Sequence, residues 1–531
     1  MRIYKLFILL FGMAAIFQGC TDNFTELNTD KNNLTEDTVD RNTIGLIFAQ
    51  SVPSALLHLP QGNEPWFPFQ FQTAQALFPD LYVQYFATTF SGFQSDAYEI
   101  IGGWNGSTWS GFYSGCAPQL KFFTDFTSEN DIPVENAIGK VWTAFAYNRM
   151  TTFYGPIPFS QFGNGENSVA YDTQESIYTE HFRMLDEAVA VLQGASSTAL
   201  GSNDLIYNGD PAKWYKFANT LRLRLALQIK DANPALAQAE AEKAVAAGVI
   251  TTVSDNAMMT TNNPSNKNAY NVISAWSEFR MSAAMESVLK GFDDPRMPEY
   301  YSPAANGDGD GDGVVYEGLR NGQTVEDRAD TNLDLVGSNS NVGPRYLPEA
   351  VGENNPYPVM RAAEAYLSRA EGALLGWNMG GSTQDLYESG INASLEEWGT
   401  PDANYVASTN SPAAVGDSFN TPALSSIPVA FETGGTTERQ LEQIMTQKWI
   451  ALYPDSWTSW VDVRRTGYPT LYDRIEVSPS GEPGVGVGDI MSRLTYVSSE
   501  YDTNADAVNA ALALPEMSGG DNGSTKLWIH Q

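Results

Sequence analysis

The chain has 531 residues, 63 of them acidic against 30 basic, for a formal net charge of −33 at pH 7. Such a surface repels nucleic acids and other polyanions, and no Lys/Arg cluster in the sequence offers them an exception. Aromatic residues make up 12% and charged residues only 18%, a balance that suits neutral sugars or polar peptides.

The N-terminus, MRIYKLFILLFGMAAIFQGC, carries Arg2 and Lys5 before an apolar run from Leu6 to Phe17. The run is too short to span a bilayer comfortably and reads as a secretory signal. The Gly19-Cys20 pair that closes it resembles a bacterial lipobox, with Phe17 and Gln18 looser than the usual residues before it. On that reading residues 1–19 are removed and Cys20 is lipidated; the alternative is ordinary secretion. Cys116 is the one other cysteine, so disulfides do not hold this protein, and Cys116 is expected to be a small buried hydrophobe. No later apolar run reaches membrane-spanning length, which leaves the lipid as the sole expected anchor. No linker or low-complexity break divides residues 20–531, which read as one large domain.

Helical periodicity marks 138–155, 175–194, 210–230, 233–248, 361–377, 383–399 and 438–453. Asp210-Pro211 opens the third as N-cap and first-turn residue, and Gly248 closes the fourth. Ala-rich helix pairs of this length look like tetratricopeptide-type hairpins, although their period is irregular. Long Gly/Pro/Asn-rich segments at 55–107, 251–275, 299–357 and 400–435 separate them, and loops of that length are commonly functional.

A sugar site needs rings for the apolar sugar faces and polar side chains for the hydroxyls. Aromatics in loops, off the helical stripes, are therefore the candidates. NEPWFPF (63–69) offers Trp66 and Phe67 between prolines. FSGFQSDAYEIIGGWNGSTW (90–109) offers Phe93, Tyr98 and Trp104, with Gln94 and Asn105 beside them. NVISAW (271–276) ends on Trp276, just before a helix expected to begin at FRMS. By contrast Trp214, Trp377, Trp398, Trp449 and Trp460 lie on or at the ends of helical stripes and are expected to pack in the core. DPR (294–296) reads as a structural ion pair or cap, and RRTGYP (464–469) as a helix ending at Gly467.

NGDGDGDGVVYE (306–317) fits a calcium-loop frame, with Asn306, Asp308, Asp310, Asp312 and Glu317 as oxygen ligands and Gly311 at the sharp turn. Gly313 stands where a β-branched anchor is usual, and the flanks do not read as two helices. A structural calcium ion and a solvated loop are the two readings; no other cofactor is expected. Catalysis has little support. His58, His181 and His530 are scattered, His181 within an amphipathic helix as a surface or core-edge residue. No nucleophile or zinc motif appears, and no carboxylate pair stands out among 63 acidic residues.

Several stretches, in order and across nearly the whole mature chain, resemble the SusD/RagB family of outer-membrane nutrient-binding lipoproteins of the Bacteroidetes. They include FYGPIPFSQ (153–161), IYNGDPAKWYKFANTLRLRLAL (206–227), EFRMSAAMESVLKGFDDPRMPEYY (278–301) and TQKWIALYPDSWTSWVDVRRTGYP (446–469). The resemblance implies a mostly α fold: a helical body of four tetratricopeptide-like helix pairs with a loop-rich ligand-binding region. It also implies a non-enzymatic, lipid-anchored binder on the outer membrane, exposed at the cell surface. Such a protein captures a neutral oligosaccharide, or in some members a peptide, and passes it to a SusC-like TonB-dependent transporter. A surface hydrolase is the remote alternative.

Overall fold

A computed structural model describes residues 39–58, 69–166, 168–261, 267–329, 335–350 and 355–531. Cys20 and Trp66 lie outside the described residues. Long helices dominate: α1 (Ile44–Ala55), α2 (Gly102–Ser110), α3 (Ala117–Glu129), α4 (Pro133–Tyr154), α5 (Gln174–Leu192), α6 (Pro211–Gln228), α7 (Pro234–Ala247), α8 (Ala283–Phe292), α9 (Ala362–Leu374), α10 (Thr383–Trp398), α11 (Thr437–Leu452) and α12 (Ser456–Thr466). All seven helices expected from periodicity are present. Their starts are set by side chains that satisfy the otherwise unpaired first-turn amides. Asp210 accepts from the Ala212 and Lys213 amides at 2.9 and 3.2 Å, and Ser382 and Thr436 do the same for α10 and α11.

Successive helices pack as hairpins, α3 on α4, α6 on α7, α9 on α10 and α11 on α12, with α4 on α5 and α9 on α11 joining neighbours. This is the helical body that the resemblance implies. Small residues set the spacing. A Cβ on Gly390 of α10 would stand 2.5 Å from Leu367 Cγ of α9, so only glycine allows that approach. Trp214, Trp398, Trp449 and Trp460 are buried as expected, and Trp377 packs half-buried against the core. Cys116 is buried and free, and burial pushes its thiol well above the ordinary range.

DPR is an internal ion pair: Arg296, fully buried, donates to both Asp294 oxygens at 2.8 and 2.6 Å and also to Ser394 and Gln447. α12 ends at Gly467 with φ +76°, the left-handed conformation glycine adopts freely. His181 departs from expectation. It is wholly buried on α5 against Phe159, and burial lowers its pKa to about 3. Its ring meets Phe159 and Tyr178, and α5 packs against both α4 and α6.

The long irregular segments carry only short elements. The described residues include six strands paired in three two-stranded sheets: β1 (Phe86–Thr88) with β5 (Phe279–Met281), β2 (Ile157–Pro158) with β3 (Tyr171–Asp172), and β4 (Ala257–Met259) with β6 (Tyr357–Met360). Phe279-Arg280-Met281 is thus a strand rather than a helix start. The helix α8 begins after Ser282, whose side chain accepts from the Met285 amide.

Candidate functional site

The antiparallel β1–β5 pair aligns Phe86 with Met281 and Thr88 with Phe279. Its ladder runs on past the strands: the Thr89 amide donates to the Glu278 carbonyl at 3.0 Å, and Thr89 Oγ1 to the Ser277 carbonyl at 2.6 Å. Ser277, at φ +60°, turns the chain out of the short 3-10 turn Ser274–Trp276 into β5. Two segments far apart in sequence, 89–104 and 274–278, therefore meet.

An aromatic chain forms where they meet. Phe90 lies edge-on to Phe93 at 4.9 Å, Phe93 edge-on to Trp104 at 5.4 Å, and Phe93 stacks on Phe279 at 5.8 Å. These are favourable ring geometries. Phe93 is the buried hub; Phe90 is 50% exposed, and Trp104 and Trp276 are half-buried at the edge of the core. Polar groups flank the rings. Gln72 Nε2 donates to Glu278 Oε2 at 2.8 Å. Burial holds the Glu278 carboxyl above its usual range, with the Gln72 bond acting the other way. Gln94 donates to the Ser91 carbonyl.

Three candidates are corrected by the fold: Phe93, Asn105 and Tyr98 are buried, Phe93 in the core under Phe90 and Trp104. GGWNGSTWS is not a loop: it is α2, and Trp104 stands in its first turn. Asn105, one residue on, points inward, donating to the Thr495 carbonyl and accepting from the Tyr154 hydroxyl, both at 2.7 Å. Tyr98 is wholly buried, with the Arg474 guanidinium 4.1 Å from its ring and its hydroxyl donating to the Asp489 carbonyl. Asn105 and Tyr98 hold the scaffold under the rings. The outward face of α2 is bare backbone: a Cβ at Gly102, Gly103 or Gly106 would meet no atom within 4 Å.

A cleft of about 600 Å³ is lined by Asn256, Glu299, Arg345, Asn355 and Glu397. The Arg345 and Leu347 carbonyls accept from Asn271 Nδ2 at 3.0 and 2.8 Å. Arg345 stacks on Trp398 at 3.9 Å. Sequence reasoning missed Phe90, Gln72 and Glu278. The signal for Phe90 was present, an apolar ring beside Ser91 and Gly92, whereas Gln72 and Glu278 become neighbours only through the β1–β5 pairing.

The 306–317 loop folds on its own aspartates. Asp308 accepts from the Gly311 and Gly313 amides, Asp310 from Asp312 and Asp312 from Val314. Asp308, Asp310 and Asp312 each bring an oxygen within 4.8 Å of the others, as do Asp310, Glu317 and Glu286. Asn306 donates to Ser338 at 3.1 Å. Two groups from α8 enter the cluster that the sequence frame did not contain. Glu286 is buried, and burial raises its carboxyl to about 7 despite its bond from Lys290. Lys290 Nζ stands 2.5 Å from Glu286, 2.8 Å from Asp312 and 3.8 Å from Asp310. The loop thus has a resident cation among its carboxylates.

Helix hairpins packed in succession define a helical-repeat protein. The family model of SusD-like proteins, described as Susd and RagB outer membrane lipoprotein, matches residues 26–530. The chain belongs to this SusD-like family. A chitin-binding SusD homolog from Flavobacterium johnsoniae is 34% identical, with a TM-score of 0.81 over 92% of this chain and 98% of that one. SusD homologs from Bacteroides vulgatus and Bacteroides thetaiotaomicron are each 29% identical, with TM-scores of 0.82 and 0.78 over 92% of this chain and 97% and 98% of theirs. No curated protein matches. Among the described residues no helix is long and apolar enough to cross a membrane.

Proposed function

We propose that this protein captures a neutral oligosaccharide at the cell surface and delivers it to a SusC-like TonB-dependent transporter, without chemistry of its own. The observation that carries the reading is the β1–β5 pairing, which sets the Phe90 segment beside Glu278, itself bonded to Gln72, with Trp104 in ring contact with Phe93 and Trp276 three residues before β5. Rings with a free face beside polar side chains are what a sugar ring and its hydroxyls require, and here Phe90 is exposed while Trp104 and Trp276 are half-buried. The chitin-binding relative makes N-acetylglucosamine oligomers the first ligands to try. The histidines support the non-enzymatic reading: His58 and His181 are buried, and burial lowers each to about 3. A peptide is the alternative ligand. We also propose that Cys20 carries the lipid, after removal of residues 1–19, and that residues 20–531 act as one unit. For the 306–317 loop we propose that Lys290 supplies the counter-charge and that calcium enters only when this ammonium is removed.

The test is a pair of measurements on Trp104→Ala and Trp276→Ala: affinity for the oligosaccharide the wild type binds, from a panel opening with chitin oligomers, and melting temperature. Loss of a stacking ring should cost about 1–3 kcal/mol, or roughly five- to a hundred-fold in affinity. Truncation of a buried tryptophan would instead cost about 3–5 kcal/mol of stability. Unchanged affinity in both variants sinks the reading, and selective binding of peptides would favour the alternative.

A further inference from the structure

A second cleft, of about 360 Å³, opens where the end of α12 meets the 484–492 segment and the C-terminal residues; Arg464, Lys526, His530, Ser492, Ser524 and Gly484 are among its walls. At about 30 Å³ per water it holds the volume of roughly a dozen waters, room for one sugar-sized molecule. Its charge is unusual for so acidic a protein. The buried arginines Arg222, Arg224, Arg296, Arg361, Arg465 and Arg493 each meet a carboxylate. Arg464 meets none among the described residues. It donates from Nε to the Trp460 carbonyl and from Nη1 to the Thr152 and Ser492 carbonyls, at 3.1, 2.8 and 2.6 Å, and lies 3.9 Å over the Trp460 ring. Its Nη2 has no partner, and neither has His530 Nε2.

A guanidinium largely out of water and without a counter-ion is costly, and burial pulls Arg464 down to about 9. Arg149, Arg328 and Arg474 also meet no carboxylate among the described residues, but all three are buried, Arg149 against Trp457 at 4.0 Å and Arg474 over Tyr98 at 4.1 Å. Arg464 is half-buried and lines this cleft, where the exposed Lys526 adds a second positive charge, unpaired with any carboxylate among the described residues. Asp489 is the one acidic group in the walls, and its Oδ2 accepts from the Gly486 amide at 2.8 Å. The charges of Arg464, Arg465 and Lys526, after burial itself, keep His530 neutral, well below its ordinary value.

We propose that this cleft binds a small oxyanion, the carboxylate or phosphate of a sugar-sized molecule, with Arg464 and Lys526 as its charge partners and His530 and Ser524 as hydrogen-bonding walls. The cleft shares no lining residue with the aromatic rim. Calorimetry on the full-length mature protein at low salt, with galactose, galacturonate and galactose 6-phosphate as probes, tests it. Binding of galacturonate or galactose 6-phosphate but not galactose is expected, and which acid binds identifies the oxyanion. Lys526→Glu, a surface change, should weaken that binding by about ten-fold or more, as should Arg464→Lys if its melting temperature shows it folded. Trp104→Ala should leave it unchanged, which separates this site from the glycan rim. Failure of both acids to bind, equal binding of galactose, or undiminished affinity in Lys526→Glu overturns the proposal.

Discussion

Burial raises the Asp80 carboxyl to about 8; the Tyr270 hydroxyl, donating to it at 3.1 Å, opposes the shift without cancelling it, and the Asp455 charge adds to it. An unfolded aspartate titrates near 3.8. The folded state therefore holds a proton that the unfolded chain releases, and the stability this contributes is present below about pH 4 and lost as pH rises to about 8. Asp80→Asn keeps the shape and removes the titration. The difference in melting temperature between Asp80→Asn and wild type should move in the variant's favour from pH 4 to pH 8; a constant difference would show that Asp80 ionises normally. Individual residues were unevenly legible in the sequence. The Asp294–Arg296 pair could be read because two residues of opposite charge lie two apart at a helix exit. The inward turn of Tyr98 and Asn105 could not, because their partners, Asp489, Arg474 and Thr495, lie nearly 400 residues away.

At the scale of elements, α2 departs furthest from its local signal. Glycine in a helix interior costs about 1 kcal/mol relative to alanine, and this helix has three in its first five residues. It forms because its inner face, Asn105, Thr108 and Trp109, is anchored in the core, and tertiary packing outweighs propensity. Gly106→Ala meets open space and should raise stability by about 0.5–1 kcal/mol. If the bare face carries ligand, the same methyl should weaken glycan binding; urea unfolding and a binding isotherm on one variant read both. α8 and the 306–317 loop give the other test at this scale. Addition of 1 mM calcium should leave the wild-type melting temperature nearly unchanged but raise that of Lys290→Gln, where three carboxylates lose their cation. An equal calcium response in both proteins would place the ion elsewhere. The strongly periodic helices were legible because an apolar stripe records burial directly. β5 and the α8 contribution to the loop were not, since a three-residue strand has no periodicity to read.

For the molecule as a whole, buried apolar residues form one cluster that runs from Ile44 to Ile529, with Ala87, Leu319 and Leu335 as a small satellite. A body tied together in this way needs no lipid to fold. Cys20→Ala should therefore shift the protein from the washed membrane fraction to the soluble one without lowering its melting temperature. Retention on membranes that lack the transporter would remove Cys20 as the anchor. The helical architecture was readable from periodicity and shared motifs, while the rim was not, because it exists only through long-range pairing. Thr88 Oγ1 bonds to the Glu278 carbonyl 190 residues away, so half of the rim is made early in synthesis and must wait for the other half. Contacts of such separation close late and slowly. A chain halted before residue 281 has Phe90 and Trp104 but no β5 to hold them, and an immobilised ligand would let it pass. On the proposed function, retention on such a column would sort finished molecules from arrested ones, and glycan binding would become a gauge of completed folding.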